Sequence, residues 1–172
     1  IGVATRRVRR KRRNMTKSAK RIQRDLNQSL SSKDIPQWDR LGMLLPMVQY
    51  LATGEGDSPI AELQTRHQQY VFHALKMFGL CDTRRNLTDA GRAVAERFDG
   101  SRKSRNAIIR ECIENTLIGQ KWMRHCGVTG FHFVDGNTAM EFLLENSDVS
   151  ESTAKRRART LKRWVLFFKI GQ

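Results

Sequence analysis

Apolar residues recur at three- and four-residue spacing along much of the chain, and this spacing predicts a mainly α-helical fold. In "WDRLGMLLPMVQYLATG", residues 38–54, five such side chains share one helical face, and Gly54 is a natural helix end. Pro46 within this stretch predicts either a kink or a later start of the helix. A second helix of about two turns is predicted in "EGDSPIAELQTR", with Ser58 as its cap and Pro59 in its first turn.

A third helix is predicted in "RHQQYVFHALKMFG", residues 66–79, where Gly79 closes it. Its apolar residues share an inner face, and its outer face is expected to carry Arg66, Gln69, His73 and Lys76. Residues 82–86 predict a tight hairpin with basic side chains at its tip, and Thr88 is expected to cap a fourth helix. Three helices, a hairpin and a helix in this order predict a winged helix-turn-helix unit over residues 37–100.

Residues 101–172 predict a second helical unit. One long helix is expected over residues 101–123, with an inner face of Ile108, Ile109, Cys112, Ile113 and Leu117. After a glycine-containing loop, "TAMEFLLEN" predicts a short amphipathic helix with Asn137 as its cap. The last helix is predicted in "SESTAKRRARTLKRWVLFF", residues 150–168, with Ser150 or Ser152 as its cap. A short helix, a turn and a basic helix again predict a helix-turn-helix.

This last helix separates into an apolar side and a basic side at about 100° per residue. The apolar side comprises Ala154, Ala158, Leu161, Val165 and Phe168. The basic side comprises Lys155, Arg156, Arg159, Lys162 and Arg163, and Arg157 and Trp164 lie at the borders. Surface helices usually pair charges of both signs, but no acidic residue follows Glu151 here. The helix therefore predicts contact with a nucleic acid, and the alternatives are a solvated surface helix and a membrane-surface or partner-protein helix.

The overall charge supports a polyanionic partner. The 172 residues contain 32 Lys and Arg against 17 Asp and Glu, a net charge of +15. Nucleic acid is the commonest partner of such a surface, and an anionic membrane surface is the rival. Eleven of the basic residues fall within positions 6–24. Their mutual repulsion predicts a disordered basic arm and linker over residues 1–36, with the arm ordering on DNA.

The patterns expected of a catalytic site are missing from the sequence. No histidine begins the H-x-K pattern of phospholipase D-like nucleases, and no Asp or Glu has Lys two positions later, as Mg²⁺-dependent restriction nucleases need. His125, Cys126 and His132 lack a fourth zinc ligand at the usual spacing. We therefore expect no enzymatic activity, metal, cofactor or small-molecule ligand. Because the sequence begins at Ile1, it is also consistent with a fragment whose catalytic segment lies elsewhere.

Cysteine usage and hydropathy indicate the compartment. The three cysteines, Cys81, Cys112 and Cys126, form no close pair and favour a reducing environment. No apolar stretch approaches the ~20 residues that span a bilayer, and no apolar segment follows the basic N-terminus as a secretory signal requires. These features predict a cytoplasmic, nucleoid-associated protein that does not insert into a membrane.

Two stretches resemble motifs of DNA-binding proteins. Residues 66–92, "RHQQYVFHALKMFGLCDTRRNLTDAGR", resemble the winged-helix pattern R-Q-x-x-Y-x-x-x-A-x-x-L-G-L followed by L-T-x-x-G. Residues 150–168 resemble the pattern S-x-x-T-A-x-R-R-A-x-T-L-x-x-W. Together they are similar to the DNA-binding region that accompanies phospholipase D-like bacterial restriction endonucleases and related defence proteins. The resemblance implies sequence-specific duplex binding by two helix-turn-helix units, and its second motif matches the polar residues Ser152, Thr153, Arg156, Arg157 and Thr160.

These features predict a sequence-specific double-stranded DNA-binding module, the target-recognition part of a restriction, defence or mobile-element system, which reads DNA with helices 67–78 and 152–168. The residues expected to contact base edges are Gln69, His73, Lys76, Arg156 and Arg159. The residues expected to contact the DNA backbone are Arg66, Arg84, Arg85, Ser152, Thr153, Lys155, Arg157, Thr160, Lys162, Arg163 and, in the arm, Arg9, Arg10, Lys11, Arg12 and Arg13. The alternatives are an RNA-binding ribonucleoprotein component and the DNA-binding fragment of a nuclease. Besides DNA, the predicted partners include a nuclease or other effector domain or chain.

Overall fold

The computed structural model describes residues 26–169 and contains seven α-helices within them. They are α1 (Leu44–Thr53), α2 (Thr65–Met77), α3 (Asp89–Arg97), α4 (Arg102–Glu114), α5 (Leu117–His125), α6 (Ala139–Asn146) and α7 (Glu151–Lys169). Single 3-10 turns occupy Leu41–Met43, Phe131–Phe133 and Gly136–Thr138. The mainly α-helical class predicted from the apolar spacing is confirmed.

The predicted ends of α1, α2 and α3 are confirmed by their local geometry. Because α1 begins only at Leu44, Pro46 lies in its first turn, where a proline removes no helical hydrogen bond. Gly54 ends α1 with a φ of +67°, and its N–H donates to the carbonyl of Tyr50 over 2.8 Å. Thr88 caps α3, since its hydroxyl accepts the N–H of Gly91 over 3.0 Å.

The short helix predicted after α1 is wrong, because residues 58–63 form consecutive turns. The N–H of Ala61 bonds the carbonyl of Ser58 over 3.0 Å, and that of Leu63 bonds the carbonyl of Ile60 over 3.1 Å. These are three-residue steps, not the four-residue steps of an α-helix. Within residues 58–63 only Ile60 is buried. Ile60 and the half-buried Leu63 are thus packed against the core from turns and not from a helix.

The hairpin expected over residues 82–86 is reduced to a tight turn. The carboxylate of Asp82 accepts the N–H groups of Arg84 and Asn86 over 2.8 and 2.9 Å, and this reverses the chain at once. One antiparallel pair, Cys81 with Leu87, precedes the cap of α3. A turn with a single residue pair has no strands on either side, so the two-stranded wing is not confirmed.

The long helix predicted over residues 101–123 is wrong, because the chain breaks it into α4 and α5. Thr116 ends α4 by donating its hydroxyl to the carbonyl of Ile113 over 2.6 Å. The same oxygen accepts the N–H of Gly119 over 3.0 Å and so caps α5. A Cβ at Gly119 would lie 2.0 Å from the carbonyl oxygen of Ile113. Only glycine therefore allows the end of α4 to meet the first turn of α5.

The cap predicted for α6 is also wrong. The capping side chain is the carboxylate of Asp135 and not the amide of Asn137, because Asp135 accepts the N–H at the start of the 3-10 turn that leads into α6. Asn137 is the donor of that N–H, over 2.9 Å, and its side chain is bonded elsewhere. The helix itself, Ala139–Asn146, agrees with the amphipathic pattern, because Ala139, Phe142 and Leu143 are buried.

Residues 26–40, here called the strap, are packed against the helices, although the sequence predicts that residues up to 36 belong to a basic arm and linker. Leu30, Ile35 and Trp38 are buried. Leu30 pairs with the chain between α6 and α7, donating its N–H to the carbonyl of Asn146 and accepting the N–H of Asp148. The buried apolar residues from Leu30 to Phe168 form one core, so the strap is a structural part of it.

Candidate nucleic-acid interface

The positive charge of the chain is concentrated in two places. Residues 1–25 carry eleven Lys and Arg and one acidic residue, and residues 151–169 carry seven against one. Residues 26–150 carry fourteen Lys and Arg against fifteen acidic residues. The body of the protein is therefore close to neutral, and within the described residues α7 carries the excess. Within the described residues, a polyanion would therefore be attracted mainly to α7.

The inner side of α7 is fixed by the core, as its sequence pattern predicted. Ser150 caps the helix, accepting the N–H of Thr153 on its hydroxyl over 3.4 Å. Among the predicted apolar residues, Ala154, Leu161, Val165 and Phe168 are buried and Ala158 is half-buried. Trp164 is buried too, and its indole N–H donates to the carbonyl of Trp38 in the strap over 2.8 Å. These contacts fix which side of α7 faces solvent.

The outer side of α7 presents the five predicted basic residues, Lys155, Arg156, Arg159, Lys162 and Arg163, all of them exposed. Arg163 forms an ion pair with Asp39 of the strap, and Lys162 donates to the side-chain carbonyl of Asn137 over 2.9 Å. Within residues 26–169 the side chains of the other three, Lys155, Arg156 and Arg159, make no hydrogen bond or ion pair. Three neighbouring cations without a protein partner give this surface an uncompensated positive charge, which attracts anions.

Arg157 was expected to contact the DNA backbone, but it lies inside the protein. The residue is only 6% exposed, and its guanidinium donates a hydrogen bond to the carbonyl of Ile35 over 3.4 Å. Burial lowers the pKa of its guanidinium, and the neighbouring charge of Arg156 lowers it further. Since the strap covers this side of α7, Arg157 is not part of the exposed basic side. The hydroxyl residues of the second motif differ from one another in exposure. Ser152 is exposed, whereas Thr153 and Thr160 are half-buried.

The outer face of α2 is partly covered by the strap. Gln69, Lys76 and Arg66 are exposed, and Arg66 donates to the hydroxyl of Tyr70 on the next turn. His73 is half-buried instead, with its Nε2 3.0 Å from the carbonyl oxygen of Lys33 and its Nδ1 buried without a partner. Burial lowers the pKa of this imidazole. A base contact by His73 would require the strap to leave α2.

The turn at residues 82–86 places Arg84 and Arg85 on the surface, as expected. Arg85 has a φ of +68°, and its guanidinium lies 4.4 Å from the centre of the Phe72 ring of α2. This stacking directs Arg85 back toward α2. The structure therefore brings the turn and α2 together, with Arg84 directed at solvent.

One exposed side chain was not singled out from the sequence. Phe133, in the 3-10 turn Phe131–Phe133, is 63% exposed, the largest value among the large apolar residues described. Its neighbours Phe131 and Val134 are buried. In "GFHFVDG" the two phenylalanines are equivalent by pattern, so the sequence gives no signal of which ring points outward. The His132 ring lies 3.9 Å from the Phe133 ring, centre to centre.

The histidines and cysteine considered for zinc make other contacts. Nδ1 of His125 is 3.5 Å from a carboxylate oxygen of Glu145, and Sγ of Cys126 is 3.4 Å from the hydroxyl of Thr138. Among residues 26–169 no three His, Cys, Asp or Glu side chains come close enough together to hold a metal ion. In the same part of the chain, every helix is too short or too polar to cross a membrane.

The predicted arm contacts, Arg9, Arg10, Lys11, Arg12 and Arg13, lie outside the described residues. Comparison of the chain with protein-family models, with curated proteins and with solved structures finds no match. The surface of α7 and the residues that surround it are therefore the features from which a function can be proposed.

Proposed function

We propose that this protein is a sequence-specific double-stranded DNA-binding module that grips DNA with the outer side of α7. In this proposal α6, the connection at residues 147–150 and α7 act as a helix-turn-helix, and α7 is its recognition helix. The observation that carries the proposal is the group of three exposed cations, Lys155, Arg156 and Arg159, which lack a protein partner within residues 26–169.

The shape of α7 supports duplex DNA as the polyanion. Its 19 residues give a length of about 28 Å at 1.5 Å per residue. Its basic side is one helix wide, which suits a major groove about 12 Å across. Each phosphate neutralised by Lys or Arg releases condensed counterions, and this release is the main source of affinity. A rigid basic helix obtains this free energy without ordering a flexible segment.

The contacts within α7 divide by residue type and position. Arg156 and Arg159 are proposed to read guanine edges, since a guanidinium matches the O6 and N7 acceptors of guanine. Lys155, Lys162 and Arg163 are proposed to neutralise phosphates on either side of the groove. Lys162 and Arg163 exchange their present partners, Asn137 and Asp39, for phosphate oxygens.

We assign α2 a secondary role. His73 is bonded to the strap, and the turn at residues 82–86 is too short to be a reading wing. Gln69, Lys76 and Arg84 remain exposed and are proposed to contact DNA that flanks the α7 site. The resemblance to DNA-binding regions of restriction and defence proteins suggests target recognition in such a system, where a nuclease or other effector supplies the cleavage.

The test is selection of bound duplexes from a random library, followed by anisotropy titrations of the full chain. We expect a consensus site that binds at least tenfold more tightly than random duplex at about 150 mM salt, a modest value for specific binding. Arg156→Ala should relax the preference at one or two positions, whereas Lys162→Ala should weaken binding to all duplexes alike.

Controls in the same titrations separate the alternatives. Arg97→Ala removes an exposed cation of α3 that is paired with Glu111, and it should leave DNA affinity unchanged. Equal binding of consensus and random duplex would contradict site reading. Stronger binding of single-stranded or duplex RNA than of DNA would favour the RNA-binding alternative. Incubation with Mg²⁺ should leave the duplex intact, and cleavage by the purified chain would contradict a purely binding role.

A further inference from the structure

We infer that Phe133 is a wedge residue that stacks on a base step of the DNA beside α7. This inference rests on the proposed function and adds an apolar contact to a surface so far described by its charges. Its starting point is the exposure of Phe133, because most large apolar side chains in residues 26–169 are buried or half-buried. An exposed aromatic ring beside a cationic helix combines the two features with which proteins hold bases and phosphates together.

The turn that carries Phe133 is held in place from both sides. The buried ring of Phe131 packs edge-on against Phe168 of α7 at 5.9 Å between ring centres. The N–H of Phe131 donates to the carboxylate of Glu114 over 2.9 Å, and that of Phe133 donates to the carbonyl of Gly130 over 3.0 Å. Because Phe131 and Val134 are anchored in the core, Phe133 cannot turn inward without breaking these contacts. Its outward position is therefore built into the fold.

The same loop runs along the edge of the basic side of α7. At Gly136 a Cβ would lie 3.4 Å from the Cβ of Val165 and 3.5 Å from the Cγ of Lys162. One residue further, the side chain of Asn137 accepts a hydrogen bond from Lys162 over 2.9 Å. Phe133 thus lies three residues before a point of direct contact with a cation of α7. DNA gripped by α7 would extend past this loop.

The chemistry of the site favours a nucleobase as the occupant. The exposed side chain of α7 that this loop contacts is the cation Lys162, so a partner with negative charge as well as an apolar face fits the site. A base step of duplex DNA supplies both, since phosphates flank stacked rings. Phenylalanine wedges of this kind enter the minor groove, partly unstack one step and bend the duplex. His132, whose ring lies against Phe133, supports the ring at its base.

The experiment uses Phe133→Trp as a fluorescent reporter in the full chain. The three native tryptophans, Trp38, Trp122 and Trp164, are all buried, so a tryptophan at position 133 would be the exposed one. In the free variant, acrylamide should quench this indole readily. Saturation with the selected duplex should quench its emission by stacking and protect the remainder from acrylamide. Phe133→Ala should weaken duplex binding roughly tenfold, within the range measured for loss of one base–aromatic stack.

A matched control and the salt dependence make the test specific. Tyr50→Ala removes a half-buried aromatic ring from α1, which has no proposed contact with DNA, and should leave affinity unchanged. Phe133→Ala should lower affinity without changing the slope of affinity against salt, because the slope counts phosphates and not stacked rings. If the α7 variants weaken binding but Phe133→Ala does not, and the Phe133→Trp emission is unchanged at saturation, the wedge is wrong and the proposed function stands. If the wild-type chain binds no duplex, the proposed function and the wedge both fail.

Discussion

Arg157 donates its guanidinium to the backbone carbonyl of Ile35 over 3.4 Å, which places one cation of the basic run 155–163 inside the protein. Its neighbour Arg156 lies on the exposed side of α7. A count of basic residues treats the two as equal, but only one of them can meet a phosphate. The pair therefore separates a structural position of the helix from one that is proposed to contact DNA.

Arg156→Met and Arg157→Met are expected to have different effects on DNA binding. Arg156→Met should lower affinity about tenfold, as the loss of a base or phosphate contact does. Arg157→Met should change affinity less than twofold, because methionine keeps the packing of the buried stem. It should not lower the free energy of unfolding, since it removes a buried charge with one long hydrogen bond and an unpartnered Nε. Anisotropy measures the change in DNA affinity, and urea unfolding measures the change in the free energy of unfolding. An Arg157→Met variant that is fully folded but no longer binds DNA would contradict a purely structural role for Arg157.

Gly119→Ala should be strongly destabilising. The added Cβ would lie 2.0 Å from the carbonyl oxygen of Ile113, so α4 and α5 would have to move apart. We expect a loss of about 3 kcal/mol in the free energy of unfolding, at the upper end of overpacking effects. Gly42→Ala is the control, because its nearest neighbour would be 3.6 Å away, an ordinary contact. Equal stability of the two variants in urea would show that the break at Thr116 is not as tight as described.

Stability should fall in weak acid because of His73. Burial lowers the pKa of His73 from the ordinary value of 6.5, and the charges of Arg157 and Lys76 lower it further. The hydrogen bond to the Lys33 carbonyl and the charge of Asp34 raise this pKa, but burial is the largest cause. Below pH 6.5 the unfolded chain binds a proton at this position before the folded chain does, so the free energy of unfolding decreases as pH falls. His73→Gln retains a donor toward the carbonyl of Lys33 but does not titrate. Urea titrations between pH 7.5 and about 5.5 should show a shallower decrease for this variant, and identical profiles would exclude His73 as the cause.

Lys121 should be needed to anchor the start of the strap. Its ammonium donates to the carbonyls of Leu26 and Gln28 over 2.7 and 2.8 Å, and burial lowers its pKa. Lys121→Met keeps the stem but leaves both carbonyls to solvent, which should cost about 1–3 kcal/mol of unfolding free energy. Lys103→Met, at an exposed position of α4, should cost nothing measurable. Hydrogen exchange would check the mechanism: the N–H of Leu30 should exchange faster in Lys121→Met only.

Local signals explain which parts of the fold could be predicted from the sequence. Gly54, Gly79 and Thr88 mark helix ends through their own backbone and side-chain chemistry, and the apolar side of α7 follows from spacing alone. The break at Thr116 could not be predicted in this way, because apolar spacing continues across it. The glycine that permits it, Gly119, is needed only because of a contact with Ile113 in another helix.

The candidate site shows the same limit. The exposed cations of α7 follow from the helical pattern, but the inward position of Arg157 depends on Ile35, which is 122 residues away in sequence. His73 is likewise bonded to the carbonyl of Lys33, which is 40 residues away in sequence. Phe131 and Phe133 differ in exposure only because Glu114 and Phe168 hold the first of them. Such distinctions require tertiary contacts, and spacing does not supply them.

The salt dependence of duplex binding shows whether the outer side of α7 contacts DNA. The measurement compares the wild-type chain with two triple variants. The α7 variant combines Lys155→Gln, Arg156→Gln and Arg159→Gln. The control combines Arg97→Gln, Lys103→Gln and Arg124→Gln, which make the same charge change at exposed cations of α3, α4 and α5. Each phosphate contact contributes about 0.9 to the slope of log affinity against log salt. Because Lys155 is assigned to phosphate and Arg156 and Arg159 to bases, we predict that the triple variant of α7 loses about 0.9 from the magnitude of this slope, whereas a loss of about 2.7 would show that all three residues contact phosphate. The control should keep the wild-type slope. Equal slopes for the two triple variants would contradict DNA binding by the outer side of α7.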